Sequence, residues 1–360
     1  MSHSNVMERE TDSRLLRPVS ALYGVVTRAR SAAYRRGWFS VSQLPEPVIS
    51  VGNLTTGGTG KTPLVDWVCR VIAREGLPAK RVCVLTRGYA RPDQKSQLVV
   101  SDGNTILADQ YLAGDEPYLL AKNLMGIAAV ICNADRIAAG QWAIENLASE
   151  VFVLDDGFQH QRLHRDLDIV TIDATNPWGD GSLLPYGRLR EPAAGLSRAG
   201  CIVITRADQV EEIDSLKTSI QQLAPGVPVF TSRMVTTGIR TLDGQPAPFD
   251  RQLPLAAFCG VGNPGSFFDH LRREGLTPVF SRSFPDHHNY TPNELVEIEN
   301  SAEAHGAKIL LTTAKDAVKL SSASFKLPCF VLDVQIAIDD EARLIEMIRK
   351  ACRNPPIPIE

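Results

Sequence analysis

The chain has 360 residues, of which 44% are apolar and 22% are charged, and its formal net charge at pH 7 is −3. We expect two domains, because a chain of this length is longer than one hydrophobic core usually supports. The composition is typical of a soluble globular protein, the near-neutral charge argues against nucleic-acid binding, and no obligate protein partner is inferred.

Cysteine usage and hydropathy bear on the compartment. The 7 cysteines are scattered and form no C-x-x-C pair, which suits a reducing cytoplasm. No apolar run reaches the roughly 18 residues of a membrane-spanning helix, and the polar start lacks the apolar stretch of a signal peptide.

The N-terminal segment is basic and has an apolar stripe. We predict a disordered tail over 1–13 and a basic amphipathic helix over 14–40. The stripe favours peripheral contact with an anionic membrane surface, aided by Trp38 and Phe39, while packing against the protein is the alternative. On a helix, one face gathers Val19, Leu22, Tyr23, Val26, Ala29 and Ala33.

Residues 41–227 are predicted to form a doubly wound α/β domain of the P-loop NTPase type. Helix-length segments there alternate with short β-branched runs, and such runs without strict alternation are typical of strands buried on both faces of a parallel sheet. The predicted strands are 47–51, 81–85, 128–132, 151–154, 168–172 and 201–205.

A smaller α/β domain is predicted over 228–338. Its core strands are expected at 254–259, 277–280 and 308–312. The extended segments 228–240 and 329–338 can pair as a β-ribbon that links the two domains. Residues 339–360 follow as a C-terminal helix and tail.

The segment V-G-N-L-T-T-G-G-T-G-K-T (51–62) ends like a phosphate-binding loop, although Thr55 holds the place of the usual first glycine. It follows a predicted strand and opens a predicted helix, so that free N–H groups and the positive helix end can face an anion. Lys61 would reach the β- and γ-phosphates of a nucleotide, and Thr62 would bind Mg²⁺. The predicted nucleotide contacts are Thr55, Gly57, Gly58, Thr59, Gly60, Lys61 and Thr62.

A second part of the nucleotide site is predicted at V-F-V-L-D-D-G (151–157). Four apolar residues precede Asp155 and Asp156, as in the strand-plus-aspartate pattern that holds Mg²⁺ in P-loop proteins. A turn with a helix cap is the alternative for these aspartates, and the glycine loop earlier in the same domain favours the metal site.

Two other motifs are weaker candidates for nucleotide binding than the phosphate loop. G-V-G-N-P-G (260–265) matches a dinucleotide-binding pattern, but no acidic residue follows at the end of the next strand, and Pro264 indicates a turn. T-R-A-D (205–208) is distantly similar to the base-reading loop of GTPases, and a turn at the end of a strand is the preferred interpretation.

Two polar clusters could carry chemistry. G-D-E-P (114–117) places Asp115 and Glu116 before a helical segment, where they could simply favour the helix N-terminus. P-D-H-H-N-Y (285–290) gathers Asp286, His287 and His288; zinc binding lacks a third spaced ligand, so an acid–base cluster facing the first domain is preferred.

Taken together, the motifs resemble those of the tetraacyldisaccharide 4′-kinases, which phosphorylate a lipid A precursor. The resemblance covers roughly residues 17–350, and Ala90 departs from the glycine expected in R-G-Y-G-R. The motifs that carry it, in order, are G-N-L-T-T-G-G-T-G-K-T-P, R-G-Y-A-R (87–91), G-D-E-P, L-D-D-G-F-Q-H (154–160), L-L-P-Y-G-R-L-R-E-P (183–192), P-D-H-H-N-Y and T-T-A-K-D-A-V-K-L (312–320).

The resemblance implies transfer of the γ-phosphate of ATP, with Mg²⁺, to the 4′-hydroxyl of a tetraacyldisaccharide 1-phosphate at the cytoplasmic face of the inner membrane. The acceptor contacts that it implies are Tyr89, Glu116, Arg188, Arg190 and Glu191, and a solvated loop is the alternative for the last three. A P-loop GTPase or ATP-driven switch is the competing function, but a switch needs no acid–base cluster.

The catalytic hypothesis follows from the chemistry of a sugar hydroxyl, which is a poor nucleophile until a positioned group takes its proton. Asp155 and Asp156 are assigned to Mg²⁺, so Asp115 is the expected base. We expect His287 to orient Asp115 from the second domain, supported by Glu116 and Asp286, with Lys61 assisting transfer.

Overall fold

The computed structural model describes residues 4–74, 81–89, 91–320 and 323–353, with side chains described from residue 16 onward. The part of the chain outside these ranges includes Ala90, residues 1–3 of the predicted tail, and 354–360 of the predicted C-terminal tail.

The described strands form one twelve-stranded sheet in the order β10-β9-β11-β12-β8-β7-β6-β1-β5-β2-β4-β3. Their bounds are β1 Val48–Asn53, β2 Val82–Thr86, β3 Leu98–Ser101, β4 Ala128–Cys132, β5 Val151–Asp155, β6 Leu167–Asp173, β7 Cys201–Thr205, β8 Val229–Thr241, β9 Leu255–Cys259, β10 Phe280–Ser283, β11 Ile309–Thr313 and β12 Cys329–Ile338.

The described α-helices are α1 Ser4–Arg35, α2 Lys61–Arg74, α3 Gln110–Ala113, α4 Asp115–Asn123, α5 Arg136–Leu147, α6 Ile213–Leu223, α7 Pro264–Arg273, α8 Pro292–Ala304, α9 Ala314–Ala317 and α10 Glu341–Arg353. Short 3₁₀ segments lie at Gly179–Gly181, Ala193–Arg198, Ala207–Gln209 and Val318–Leu320.

Strands β1 to β7 form the P-loop half of the sheet. All strands from β4 across to β7 are parallel, and every residue of β1 is buried, as expected for strands covered on both faces. Helices α2, α4 and α10 pack on one face around Leu64, Leu120 and Leu344, and α5 packs on the other around Ile137 and Ala143. The predicted α/β fold class is confirmed.

Strands β8 to β12 form the C-terminal half. The long strand β8 pairs with β7 in parallel and then continues beyond it, pairing antiparallel with β12 from Ser232 to Thr241. Strands β11, β9 and β10 are parallel to β12, so they run opposite to the strands of the P-loop half. This antiparallel ribbon makes the carboxyl ends of the two sets of strands face each other, and ligands bind in α/β proteins at such ends.

Three elements differ from the sequence predictions. Strand β3 was not predicted, because it is a four-residue edge strand buried only over its second half. Strand β10 begins at Phe280, where the predicted strand 277–280 ends. Helix α1 begins at Ser4 instead of residue 14, which replaces the disordered tail predicted over the described residues 4–13; this stretch contains no glycine or proline to stop a helix.

Helix α1 lies on the protein through a polar face. The Ser20 hydroxyl donates to the Leu183 carbonyl at 2.7 Å, and the Tyr23 hydroxyl donates to the Arg190 carbonyl at 2.8 Å. Tyr23 and Ala33 therefore do not belong to the exposed stripe that was predicted, and Ser20 is buried. None of the described helices is long and apolar enough to cross a membrane.

Candidate functional site

The phosphate loop connects β1 to α2 at the carboxyl edge of the P-loop half. Gly57 (φ +110°) and Gly60 (φ +80°) adopt conformations that side chains rarely tolerate. The buried Asn53 amide donates to the Thr55 carbonyl at 2.6 Å and to the Thr59 hydroxyl at 2.9 Å, which fixes the loop from beneath. The first N–H groups of α2 have no intrahelical partners, so they suit an anion.

Lys61 begins α2 and points toward the second aspartate of the L-D-D-G motif. Its ammonium lies 3.5 Å from the Asp156 carboxylate, which also forms an ion pair with Arg190 at 2.6 Å. Burial raises the pKa of Asp156, but Lys61 and Arg190 more than offset this and lower it. Asp156 is therefore already neutralised by protein cations.

Asp155, by contrast, lies at the end of β5 without a cation in contact among the described residues. It is 5% exposed, and the Thr86 hydroxyl donates to it at 3.0 Å. Burial, together with the carboxylates of Glu116 and Asp156, raises the pKa of Asp155 to about 6. A divalent cation beside Asp155 would relieve this crowding of negative charge.

The donor set fits Mg²⁺ bound together with a nucleotide. No group of three or more His, Cys, Asp or Glu side chains in the described ranges could hold a metal alone, which also disfavours zinc at P-D-H-H. Mg²⁺ in kinases usually takes one or two carboxylates plus phosphate oxygens and waters. Thr62 and Asp155 satisfy that requirement, whereas the two protein cations on Asp156 make it the poorer ligand.

The two halves of the sheet meet at Asp115 in the first turn of α4. Nδ1 of His287, from the loop after β10, lies 3.2 Å from Oδ2 of Asp115, and Lys319 lies 2.8 Å from the same oxygen. Gln110 donates to the other carboxylate oxygen at 2.8 Å. Burial raises the pKa of Asp115, but these three hydrogen-bond donors outweigh it and hold the pKa well below its usual range.

A second set of contacts lies beside this pair. Lys315 on α9 donates to Glu116 at 2.9 Å and to Asp286 at 3.0 Å, and its ammonium lies 3.4 Å from Nε2 of His287. Burial lowers the pKa of Lys315, but the two carboxylates outweigh burial and raise it. The structure thus brings together the four residues predicted to do acid–base work, with two lysines that were not predicted.

The residues that the resemblance implies as acceptor contacts do not all lie in the cleft. Tyr89 is 74% exposed and lines the cleft, together with Glu116 and Arg190. Arg188 lies behind the phosphate loop, where its carbonyl accepts from the Thr56 N–H at 2.8 Å. Glu191 is 4% exposed and held by Arg198 at 2.9 Å and by Gln159, so it braces the loop and does not face the cleft.

A basic wall that was not predicted lines the same cleft. Arg136 is 4% exposed, donates to the Ala134 carbonyl at 3.1 Å, and has an Nε without a partner among the described residues. Arg30 and Arg87 line the cleft beside it. Burial and the charges of Arg136, Arg165 and, to a smaller extent, Arg30 lower the pKa of His160 to about 4, so this imidazole is neutral at pH 7. The open cleft, with a volume of about 1050 Å³, is large enough for two ligands.

The T-R-A-D motif (205–208) and the G-V-G-N-P-G motif (260–265) contact each other beside the phosphate loop. Arg206 forms an ion pair with Asp173 and donates to Ser266 at 2.8 Å. Asn263 caps α7 and donates to Asp173 at 3.3 Å. These contacts hold the 260–265 segment against the 205–208 segment, so 260–265 is a junction between the two halves of the sheet. Pro264 begins α7 and does not form the predicted turn.

Gly262 provides a test of this junction. A Cβ atom there would lie 2.8 Å from the Gly58 N atom of the phosphate loop, whereas at Gly265 the nearest atom is 3.7 Å away. We expect Gly262→Ala to weaken MgATP binding about tenfold, since misplacing such a loop by a fraction of an ångström is costly. Gly265→Ala is the matched control. Calorimetric titration of both variants with MgATP measures the effect. Wild-type affinity in Gly262→Ala would show that the junction does not determine the conformation of the phosphate loop.

Local signals could have found some of the missed residues. Lys315 and Lys319 stand after a predicted strand in a motif that was noted without a role, and their spacing of four places them on one side of a helical turn. Arg136 follows a predicted strand in N-A-D-R, but an arginine at a helix start carries no pattern that distinguishes a ligand contact from a surface charge.

Comparison with known proteins gives a consistent result. A family model described as "Tetraacyldisaccharide-1-P 4'-kinase" matches residues 12–353. The tetraacyldisaccharide 4′-kinase of Geobacter sulfurreducens is 43% identical over 303 residues, 84% of this chain and 83% of that protein. That of Pelobacter propionicus is 39% identical over 340 residues, covering 93% and 91%. The crystal structure of an "apo" form of LpxK from Aquifex aeolicus in complex with ATP has a TM-score of 0.75 and 34% identity, covering 94% and 99%.

Proposed function

This chain belongs to the tetraacyldisaccharide 4′-kinase family, and we propose that the cleft between the two halves of its sheet is the site of phosphotransfer. The protein is a kinase that transfers the γ-phosphate of ATP to the 4′-hydroxyl of a tetraacyldisaccharide 1-phosphate in lipid A biosynthesis. The observation that carries the site assignment is that the phosphate loop and His287, which contacts Asp115, line one cavity.

The nucleotide half of the site is assigned three roles: binding the phosphates, holding Mg²⁺ and fixing Asp156. The phosphate loop and Lys61 would hold the β- and γ-phosphates, and Thr62 with Asp155 would hold Mg²⁺. Bound Mg²⁺ supplies positive charge to the phosphates. Arg190 and Lys61 fix Asp156, whose left-handed backbone (φ 56°) turns the chain sharply after β5.

For the proton acceptor, the geometry favours His287 over Asp115. Both carboxylate oxygens of Asp115 are already engaged by Gln110, Lys319 and His287, and its pKa lies well below its usual range, so Asp115 orients the imidazole and does not take the proton itself. His287 then receives the proton of the 4′-hydroxyl on Nε2 as the new P–O bond forms and the bond to the β-phosphate oxygen breaks. This exchanges the roles that the sequence suggested for the two residues.

The basic wall suits the acceptor's own phosphate. Arg190 is already paired with Asp156, and Glu191 is buried, so neither is available to bind the acceptor. Arg30, Arg87 and Arg136 line the cleft, and no ion pair with a described residue is found for them. Guanidinium groups bind phosphate with charge-assisted hydrogen bonds, so we assign the 1-phosphate of the acceptor to this wall.

Mass spectrometry of the acceptor tests this function. The purified chain is incubated with MgATP and tetraacyldisaccharide 1-phosphate in mixed micelles. We expect the acceptor to gain one phosphate, which fragmentation places on the non-reducing sugar. An unmodified acceptor together with consumption of ATP would instead support the ATP-driven switch.

We further propose that α1 lies on the cytoplasmic face of the inner membrane. Its outer face exposes apolar side chains next to arginines, and Trp38 is 71% exposed just beyond the helix. Such a face partitions into the headgroup layer of an anionic bilayer. The exposed apolar residues are Leu16, Val19, Leu22, Val25 and Val26.

Substitution on this face tests the membrane contact. Leu22→Glu/Val26→Glu removes two exposed apolar groups and adds two negative charges, so we expect at least about tenfold weaker partition onto anionic vesicles. The fold is expected to persist because both side chains are exposed. Val296→Glu, at a similarly exposed position on α8, is the matched control. Sedimentation that is unchanged from wild type would exclude α1 as the contact.

A further inference from the structure

Two lysines of the segment T-T-A-K-D-A-V-K-L have no role in the reaction as described above. Lys315 lies on α9, directly after β11, and Lys319 lies one turn later in the 3₁₀ turn Val318–Leu320. Their side chains are only 15% and 3% exposed. Burying an ammonium group is costly unless partners compensate, so the partners indicate what these lysines do.

Lys319 shares a carboxylate with the imidazole. Its ammonium lies 2.8 Å from Oδ2 of Asp115, the same oxygen that lies 3.2 Å from Nδ1 of His287. It also donates to the carbonyl of His288 at 3.0 Å, which ties it to the loop that carries His287. Lys319 therefore withdraws part of the negative charge of Asp115 from the imidazole.

Lys315 indicates which nitrogen of His287 carries the proton. An ammonium group can only donate, so its 3.4 Å contact with Nε2 is a hydrogen bond only when that nitrogen carries a lone pair. Nδ1 then carries the hydrogen and donates it to Asp115. This neutral tautomer is the one that can accept a proton from a substrate hydroxyl on Nε2.

The charges around His287 explain why two cations are needed. Carboxylates reach the imidazole from two directions: Asp115 at 3.2 Å and Glu116 at 3.9 Å from α4, and Asp286 at 3.8 Å from its own loop. Negative charge near an imidazole in general disfavours the neutral ring, which is the form that accepts a proton. The ammonium groups of Lys315 and Lys319 oppose them.

We propose that Lys315 and Lys319 are positioning residues that hold His287 with its hydrogen on Nδ1, toward Asp115, and offset the three carboxylates around the ring. The proposal rests on His287 being the proton acceptor of the phosphotransfer. Neither lysine is assigned a contact with the substrate hydroxyl or the phosphoryl group in this scheme, although Lys315 contacts Nε2 of His287. Both act through the charge and the hydrogen bonds of the acid–base pair.

The test is the pH dependence of kcat in Lys319→Met, measured on the full chain with saturating MgATP and tetraacyldisaccharide 1-phosphate in mixed micelles. Without this positive charge the imidazolium is favoured, so activity needs a higher pH to remove the extra proton. We expect the acidic limb of the kcat profile to move upward by about one pH unit. At pH values below the limb, kcat should then be about tenfold lower than in wild type, and this difference should disappear in alkaline solution.

Three further variants complete the design. Lys319→Arg keeps the positive charge and is expected to retain the wild-type limb. Lys315→Met is expected to move the limb in the same direction, and since Lys315 is less buried it keeps the test available if Lys319→Met does not fold. Lys326→Met, which alters an exposed lysine outside the cleft, is expected to match wild type at every pH.

A loss of equal size at every pH in both methionine variants would mean a purely structural role and would overturn the proposal, as would an unmoved limb. The wild-type assay distinguishes a failure of this proposal from a failure of the kinase assignment. If wild type transfers no phosphate to the acceptor, the kinase assignment fails; if it does and the limb stays in place, only the role of the lysines fails.

Discussion

Replacing Lys61 with alanine is expected to lower kcat/KM by roughly 10³-fold or more, because the ammonium group stabilises charge that develops on the transferring phosphoryl group. The side chain opens toward the cleft at the start of α2 and its only ion pair within the described residues is with Asp156. Initial rates of acceptor phosphorylation measure the effect, and thermal unfolding checks that the fold is intact.

Lys217→Ala is the matched control for this substitution. Lys217 is an exposed lysine on α6, paired with Asp214 one turn away at 3.4 Å, and it lies outside the cleft. We expect wild-type rates, since exposed pairs of this kind contribute little. A Lys61→Ala enzyme with rates within a few-fold of wild type would refute the assignment of the phosphate loop.

The second large effect is expected at the acid–base pair. His287→Ala removes the proposed proton acceptor and should lower kcat by roughly 10²–10⁴-fold. Asp115→Asn keeps the shape of the side chain but removes the charge that orients the imidazole, so we expect a smaller loss. Affinity for MgATP is expected to stay within a few-fold of wild type in both variants.

The double variant distinguishes joint from independent action. Asp115 acts through His287 in this mechanism, so the loss in Asp115→Asn/His287→Ala should be about that of His287→Ala alone. Measured kcat values for the four proteins of the cycle give the coupling. Losses that multiply would mean that the residues act separately, and an Asp115→Asn loss larger than that of His287→Ala would restore Asp115 as the base.

The sequence predicted the parts of the site that depend on neighbouring residues in the chain. The phosphate loop lies between a buried strand and a helix, and Asp155 ends another buried strand, so position along a strand located both. The paired segments 228–240 and 329–338 were also recognisable, since extended runs flanking a domain can pair, and β8 and β12 do so.

The parts that were not predicted depend on tertiary geometry. Whether an arginine faces the cleft or a neighbouring carboxylate is decided by the path of the loop: Arg190 pairs with Asp156, while Glu191, the next residue, is buried against Arg198. The low pKa of Asp115 arises from donors on α3, in the 3₁₀ turn Val318–Leu320 and in the loop after β10, which only the antiparallel ribbon brings together. Sequence spacing carries no information about such a convergence.

The most direct test of the cleft as the site of phosphotransfer follows the γ-phosphate itself. ATP labelled at that position is mixed with wild type or His287→Ala, with and without tetraacyldisaccharide 1-phosphate, and label is counted in lipid and in inorganic phosphate. We expect wild type to place label in lipid only when the acceptor is present, and His287→Ala to lose this transfer by roughly 10²–10⁴-fold. Release of label as inorganic phosphate at the same rate with or without acceptor, in both proteins, would contradict the account.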